Sequence, residues 1–94
     1  MSQILRTFYK DPDETLKFTI DWADWLTSPD VIDSSEWTVP AGITNVAVSA
    51  STTQTTIWLS GGSAGTSYDI VNAITTDATT PEIAERTIRI VVRT

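Results

Sequence analysis

The chain contains no cysteine and no histidine among its 94 residues. Without cysteine there is no disulfide framework and no thiolate metal site. Without histidine the commonest general base, metal ligand and pH switch are missing as well. Lysine is limited to Lys10 and Lys17, and no basic residue falls between Lys17 and Arg86. The net charge of −6 argues against a grip on the phosphate backbone of nucleic acid. No run is long and apolar enough to span a membrane. The opening, MSQILRTFYK, lacks the apolar centre of a signal peptide. The expectation is a chain made in the cytoplasm, acting soluble or in an assembly, with no cofactor and with neither nucleic acid nor membrane as partner.

Glycine and proline are scarce too, four of each, and they fall where the chain turns. Between those turns lies a composition rich in Thr, Ser, Val and Ile, above all in the second half, which reads as all-β. A chain of this length buries one core. Its most informative stretch is Thr55–Thr76, TTIWLSGGSAGTSYDIVNAITT. Thr55, Ile57 and Leu59 alternate with Thr56, Trp58 and Ser60. Tyr68, Ile70, Asn72 and Ile74 alternate with Asp69, Val71, Ala73 and Thr75. Period two with β-branched and aromatic residues signals strands. Gly61, Gly62 and Gly65 supply positive-φ positions for a reversal, so the stretch is expected to form a β-hairpin on which other strands pack.

The remaining strands follow the same logic. Residues 1–9 form an N-terminal arm with Ile4, Leu5, Phe8 and Tyr9 among polar neighbours, and the domain proper runs over 10–94. The arm is either a first strand or an extension that docks on a neighbour. An ordered Met1 would mean that it is tied down. KDPDE is a turn. Leu16, Phe18, Ile20 and Trp22 alternate with Lys17, Thr19 and Asp21 in a half-buried strand; Trp22, Trp25 and Leu26 then take helical spacing through a bend. Val31–Val39, Ile43–Ala50 and Ala84–Val92 are further strands, the last with Ile88, Ile90 and Val92 inward and Arg86, Thr87 and Arg89 mostly outward. That makes roughly six or seven strands at about 8–12-residue spacing, the pattern of an antiparallel sandwich.

The segment GTSYDIV resembles the tyrosine-corner region of immunoglobulin-like and fibronectin type III-like sandwiches. In those folds a Tyr near the start of a late strand bonds back to backbone of the preceding turn, and the resemblance gives Tyr68 that role. The order KDPDE, FTIDWADWL, SSEWTVPAG, TTIWLSGG and AGTSYDIVNAITT is similar to small proteins encoded among the structural genes of tailed bacteriophages. The similarity covers most of Lys10–Val92, with DWADWL, SEWTVPAG and WLSGG followed by AGTSY as its most specific pieces. It implies an Ig-like domain without catalytic residues and with a virion-associated role.

Candidate chemistry is thin. Asp11, Asp13, Glu14, Asp21, Asp24, Asp30, Asp33 and Glu36 place eight of the twelve acids in the first 36 residues. Oxygen-rich loops can bind calcium, but no EF-hand spacing is present, and the acids read as turn caps and solvated strand residues. A glycosidase pair needs a cleft that no long loop here builds. Ser60 has no base to activate it, and GGSAG is followed by neither a helix pattern nor a lysine, as a phosphate loop would be. The four tryptophans suit either a core or an interface. Trp37 and Trp58, in alternating strands, are read as core; Trp25, on the bend, as exposed. Arg86, Arg89 and Arg93 make the last strand a basic edge suited to an acidic neighbour.

The reading adopted is a non-enzymatic virion structural protein, a capsid decoration protein contacting the major capsid protein or another virion protein. It would work as a homo-oligomer or in many copies, through Ile4, Leu5, Phe8, Tyr9, Trp25, Arg86, Arg89 and Arg93. Tyr68, Trp37, Trp58, Gly61, Gly62 and Gly65 are read as structural. The alternative is a tail- or fibre-associated module binding a host carbohydrate through Trp25.

Overall fold

The computed structural model describes residues 4–94. The position of Met1 lies outside them. Seven strands are present: β1 Ile4–Lys10, β2 Leu16–Asp21, β3 Ile32–Thr38, β4 Ile43–Ala50, β5 Gln54–Gly61, β6 Ser67–Thr76 and β7 Ile83–Val92. They form an all-β two-layer sandwich, with sheet order β1-β7-β6-β3 in one layer and β2-β5-β4 in the other. All pairings are antiparallel except β1 with β7, which is parallel.

The core follows from the alternation. Phe18, Ile20 and Trp22 point inward from the β2 segment, and Ile57 and Leu59 from β5. Tyr68, Ile70 and Ile74 meet them from β6, and Ile88, Ile90 and Val92 from β7. Two sheets must each hide one apolar face, and these rows do so against each other.

Several expectations need correction. The stretch Thr55–Thr76 is not a hairpin. Its two strands lie in different sheets, β5 beside β2 and β4, β6 between β7 and β3. Both strands bury one face, so alternation is satisfied equally by pairing side by side or by facing across a core. The connection through Gly61, Gly62 and Gly65, all at positive φ, carries the chain from one layer to the other. The last strand is not an edge: β7 sits between β1 and β6. Its Thr87 is buried rather than outward. Residues 4–9 of the expected arm run as β1, an edge strand in register with β7 from Ile4↔Thr87 to Lys10↔Val92. Phe8 is half-buried on the core, its ring 5.1 Å from that of Phe18.

The tryptophans are also redistributed. Trp22 is the fully buried one. Trp37 is half-buried against the core. Trp58 is half-exposed on the outer face of its sheet, alternating with the inward Ile57 and Leu59. Trp25 is not free: it packs on the core edge-on to Trp22, with centroids 5.6 Å apart.

Candidate functional site

Several acidic side chains bond to backbone. Asp11 accepts from the Asp13 amide, Glu14 from the Asp11 amide and Asp21 from the Ala23 amide. These are turn caps, in which a carboxylate satisfies backbone donors that the turn leaves over. Asp77 instead accepts from the Val31 amide, 46 residues away, and ties the start of β3 to the end of β6. Among the described residues no three acids gather around a point that could hold a metal ion.

Inside the sandwich one polar network crosses both layers. Trp22 Nε1 donates to Thr55 Oγ1 at 3.2 Å and to Asn72 Oδ1 at 3.1 Å. Thr55 Oγ1 donates to Asn72 Oδ1 at 2.7 Å. On its other side Asn72 Nδ2 donates to Ser35 Oγ at 2.9 Å and to the Glu36 carbonyl at 3.0 Å. The indole N–H only donates and the carbonyl only accepts, which fixes the orientation of the amide. Arg86 covers this end, its guanidinium 4.4 Å from the Trp22 ring centre and bonded to the Asp21 carbonyl.

At the opposite end Lys10 is buried, a position that the sequence reading left in a turn. Its Nζ donates to the Gly61 carbonyl at 2.7 Å and the Asp11 carbonyl at 2.9 Å, tying β1 to the crossover. A lone lysine at the start of the KDPDE turn gave no hint of this. Tyr68 is tied to the same crossover. Its hydroxyl accepts from the Ser63 amide at 2.9 Å, and that bond holds the phenol below its ordinary pKa. Gly62, at φ 96°, lies so close to Val92 that a Cβ there would come within 2.7 Å of a methyl.

The residues expected at an interface do not form one patch. Ile4, Leu5 and Tyr9 are exposed on β1, and Arg93 stacks on the Tyr9 ring at 3.9 Å. Arg89 pairs with Asp69 at 2.9 Å on the outer face of the four-stranded sheet. That pair lowers the pKa of the Asp69 carboxyl and raises that of Arg89. Arg86 and Trp25 belong to the Trp22 end. Two open flanks emerge instead. Between β1 and β2 lies a groove of about 400 Å³ with Leu5, Arg6, Asp21, Asp24 and Arg86 along it. Between β3 and β4 lies another of about 410 Å³, with Trp37, Asp33, Val48 and Ala50 in its walls.

A small two-layer β-sandwich with open sheet edges and grooves along both flanks has the build of a module that docks on other proteins. Residues 10–91 match the family model described as the podophage GP4 fiber-tail adaptor protein gp77, and the chain belongs to this family. It is a structural protein of the phage virion and not an enzyme. No curated protein sequence matches it. Placement as a capsid decoration protein is not supported by the family, whose description puts it with the tail; the tail-associated alternative fits better.

Proposed function

We propose that this chain is an adaptor between the tail and a fibre of a podophage, held by protein neighbours on both flanks of an immunoglobulin-like sandwich. The observation that carries the reading is the family match across residues 10–91. The fold supports it. Among the described residues each flank ends in two unpaired strand edges, β1 with β2 and β3 with β4, and a linker needs two separate surfaces. The sheet order β1-β7-β6-β3 over β2-β5-β4 and the Tyr68–Ser63 bond support the Ig-like assignment. Sugar stacking on Trp25 receives less support, because that ring packs against Trp22.

The test is localisation. A peptide tag on the C-terminus, decorated with antibody and imaged on intact particles, should lie where fibres join the tail. Particles assembled without the protein should keep filled heads and lose fibres. Label distributed over the capsid, or fibres retained in its absence, would overturn the adaptor assignment.

A further inference from the structure

An exposed strand edge invites pairing with any other strand, and folded proteins normally guard their edges with charge, proline or a bulge. Three of the four edges here are guarded by charge. β1 carries Arg6, β2 carries Lys17 and Asp21, and β3 carries Asp33 and Glu36, all of them exposed. β4, ITNVAVSA, has neither a charge nor a proline. Its first half is blunted by a register shift between Asn45 and Ala47, after which Ala47–Ala50 pairs regularly with β5. That regular half borders the groove facing β3. Val46 and Val48 are each more than half exposed.

The groove also has an apolar wall. Trp37 lines it from β3, opposite Val48 and Ala50 of β4, so an incoming strand would cover apolar surface on both sides as it pairs.

We propose that the β3/β4 flank receives one extended strand from another virion protein, which adds to the free edge of β4, covers Val48 and the groove-lining face of Trp37, and sets a Lys or Arg against Asp33. The inference rests on the adaptor reading for its setting and goes beyond it in naming the surface and the occupant. Strand addition takes affinity from main-chain bonds and specificity from side-chain pockets. Charge selects the occupant. The side-chain carboxylates of Asp33 and Glu36 have no ion-pair or hydrogen-bond partner among the described residues, and no basic residue lines the groove. A second copy would answer poorly. Pairing β4 with β4 would bring two chains of net charge −6 together with their acidic β3 rims side by side, and this chain has no basic residue from 18 to 85 to set between them. A neutral or basic strand meets both the edge and the rim.

The absence of cysteine makes the test clean. Thr52→Cys, at the exposed end of the groove, introduces a unique thiol, which can carry a benzophenone maleimide. The labelled full chain is assembled into particles and irradiated, and the cross-linked peptide is sequenced by mass spectrometry. The expected product joins position 52 to a segment of a different virion protein that has a Lys or Arg within a strand's length. In parallel, Val48→Lys and Asp33→Lys should each reduce incorporation at least tenfold while leaving the unfolding midpoint unchanged. Thr79→Lys, in the β6–β7 loop, should incorporate normally. A cross-link to a second copy of this chain, or no cross-link from particles that carry the label, would overturn the proposal. Normal incorporation of both lysine variants would do the same. A cross-link to a capsid strand would refute the adaptor placement and leave strand addition standing; tail-located label without any cross-link would do the reverse.

Discussion

Asn72 is the residue on which both layers depend. It is fully buried and joins Trp22 and Thr55 of one layer to Ser35 and Glu36 of the other. Replacing it by a side chain of similar bulk but no polarity, Asn72→Leu, would remove the acceptor shared by the indole N–H and the Thr55 hydroxyl, leaving the indole only its 3.2 Å bond to Thr55, and would take the side-chain donor from Ser35 and the Glu36 carbonyl. Buried groups left unpaired are costly, and we expect a loss of ~3 kcal/mol in chemical denaturation, with blue-shifted Trp22 emission retained if the fold survives. A loss no larger than that of an exposed substitution would mean that water can satisfy the network. The Asp69–Arg89 pair shows the opposite limit. Both side chains are over two-fifths exposed, so the pair contributes little and less in salt. Its sign is nevertheless defined. Asp69 has a folded-state pKa below its unfolded value. Its contribution is therefore present above about pH 3.9, the ordinary Asp value, and is lost as pH falls through the lower folded value. Asp69→Asn should be slightly less stable than the parent at neutral pH, and the difference should vanish in strong acid. A difference that persists unchanged at pH 2 would refute this account.

At the scale of elements, the sequence exposes which residues face inward far better than which strands pair. The inward rows of β2, β5, β6 and β7 are legible because one face of each is apolar. The partner of each strand is not, since a buried face reads alike in a hairpin and in a crossover between layers. Three glycines spread over five positions were compatible with both. β3 misled for a different reason. The register shift between Ile32 and Ser34 turns the strand over, so Ile32 and Trp37 both contact the core although strict alternation puts them on opposite faces. The flank grooves were illegible, because they arise where edges distant in sequence come together. β1 carries the clearest prediction at this scale. It makes six paired positions with β7 and places Phe8 on Phe18. Burial of one such side chain is worth ~2 kcal/mol, and a domain of this size has a total stability as low as ~5 kcal/mol. Removing residues 1–9 also opens a new edge along β7. The truncated chain should lose its cooperative unfolding transition or show it at a much lower midpoint. A truncated chain that unfolds as the full one does would restore the view of this segment as an independent arm.

On the scale of the whole molecule, the sandwich is 45 Å long and 23 by 20 Å across, and its two flanks differ in kind. The β3/β4 flank has a charge-free edge. The β1/β2 flank mixes both signs, with Arg6 and Arg86 among Asp21 and Asp24. Contacts between exposed charges are screened beyond a Debye length of about 8 Å at physiological ionic strength, whereas main-chain pairing and apolar burial are far less salt-sensitive. An adaptor built this way should let go of one neighbour before the other. Purified tails washed in rising salt should release the contact on the β1/β2 flank first. Reversing charge at the exposed Arg6 and Asp24, as Arg6→Glu with Asp24→Lys, should shift that release to lower salt and leave the β3/β4 attachment in place. The protein would then be recovered bound to a single partner, either the tail or the fibre, and the partner retained would be the one cross-linked from position 52. If the double variant instead drops off both neighbours together, the two flanks do not act as separate attachment surfaces, and a single continuous interface carries the protein.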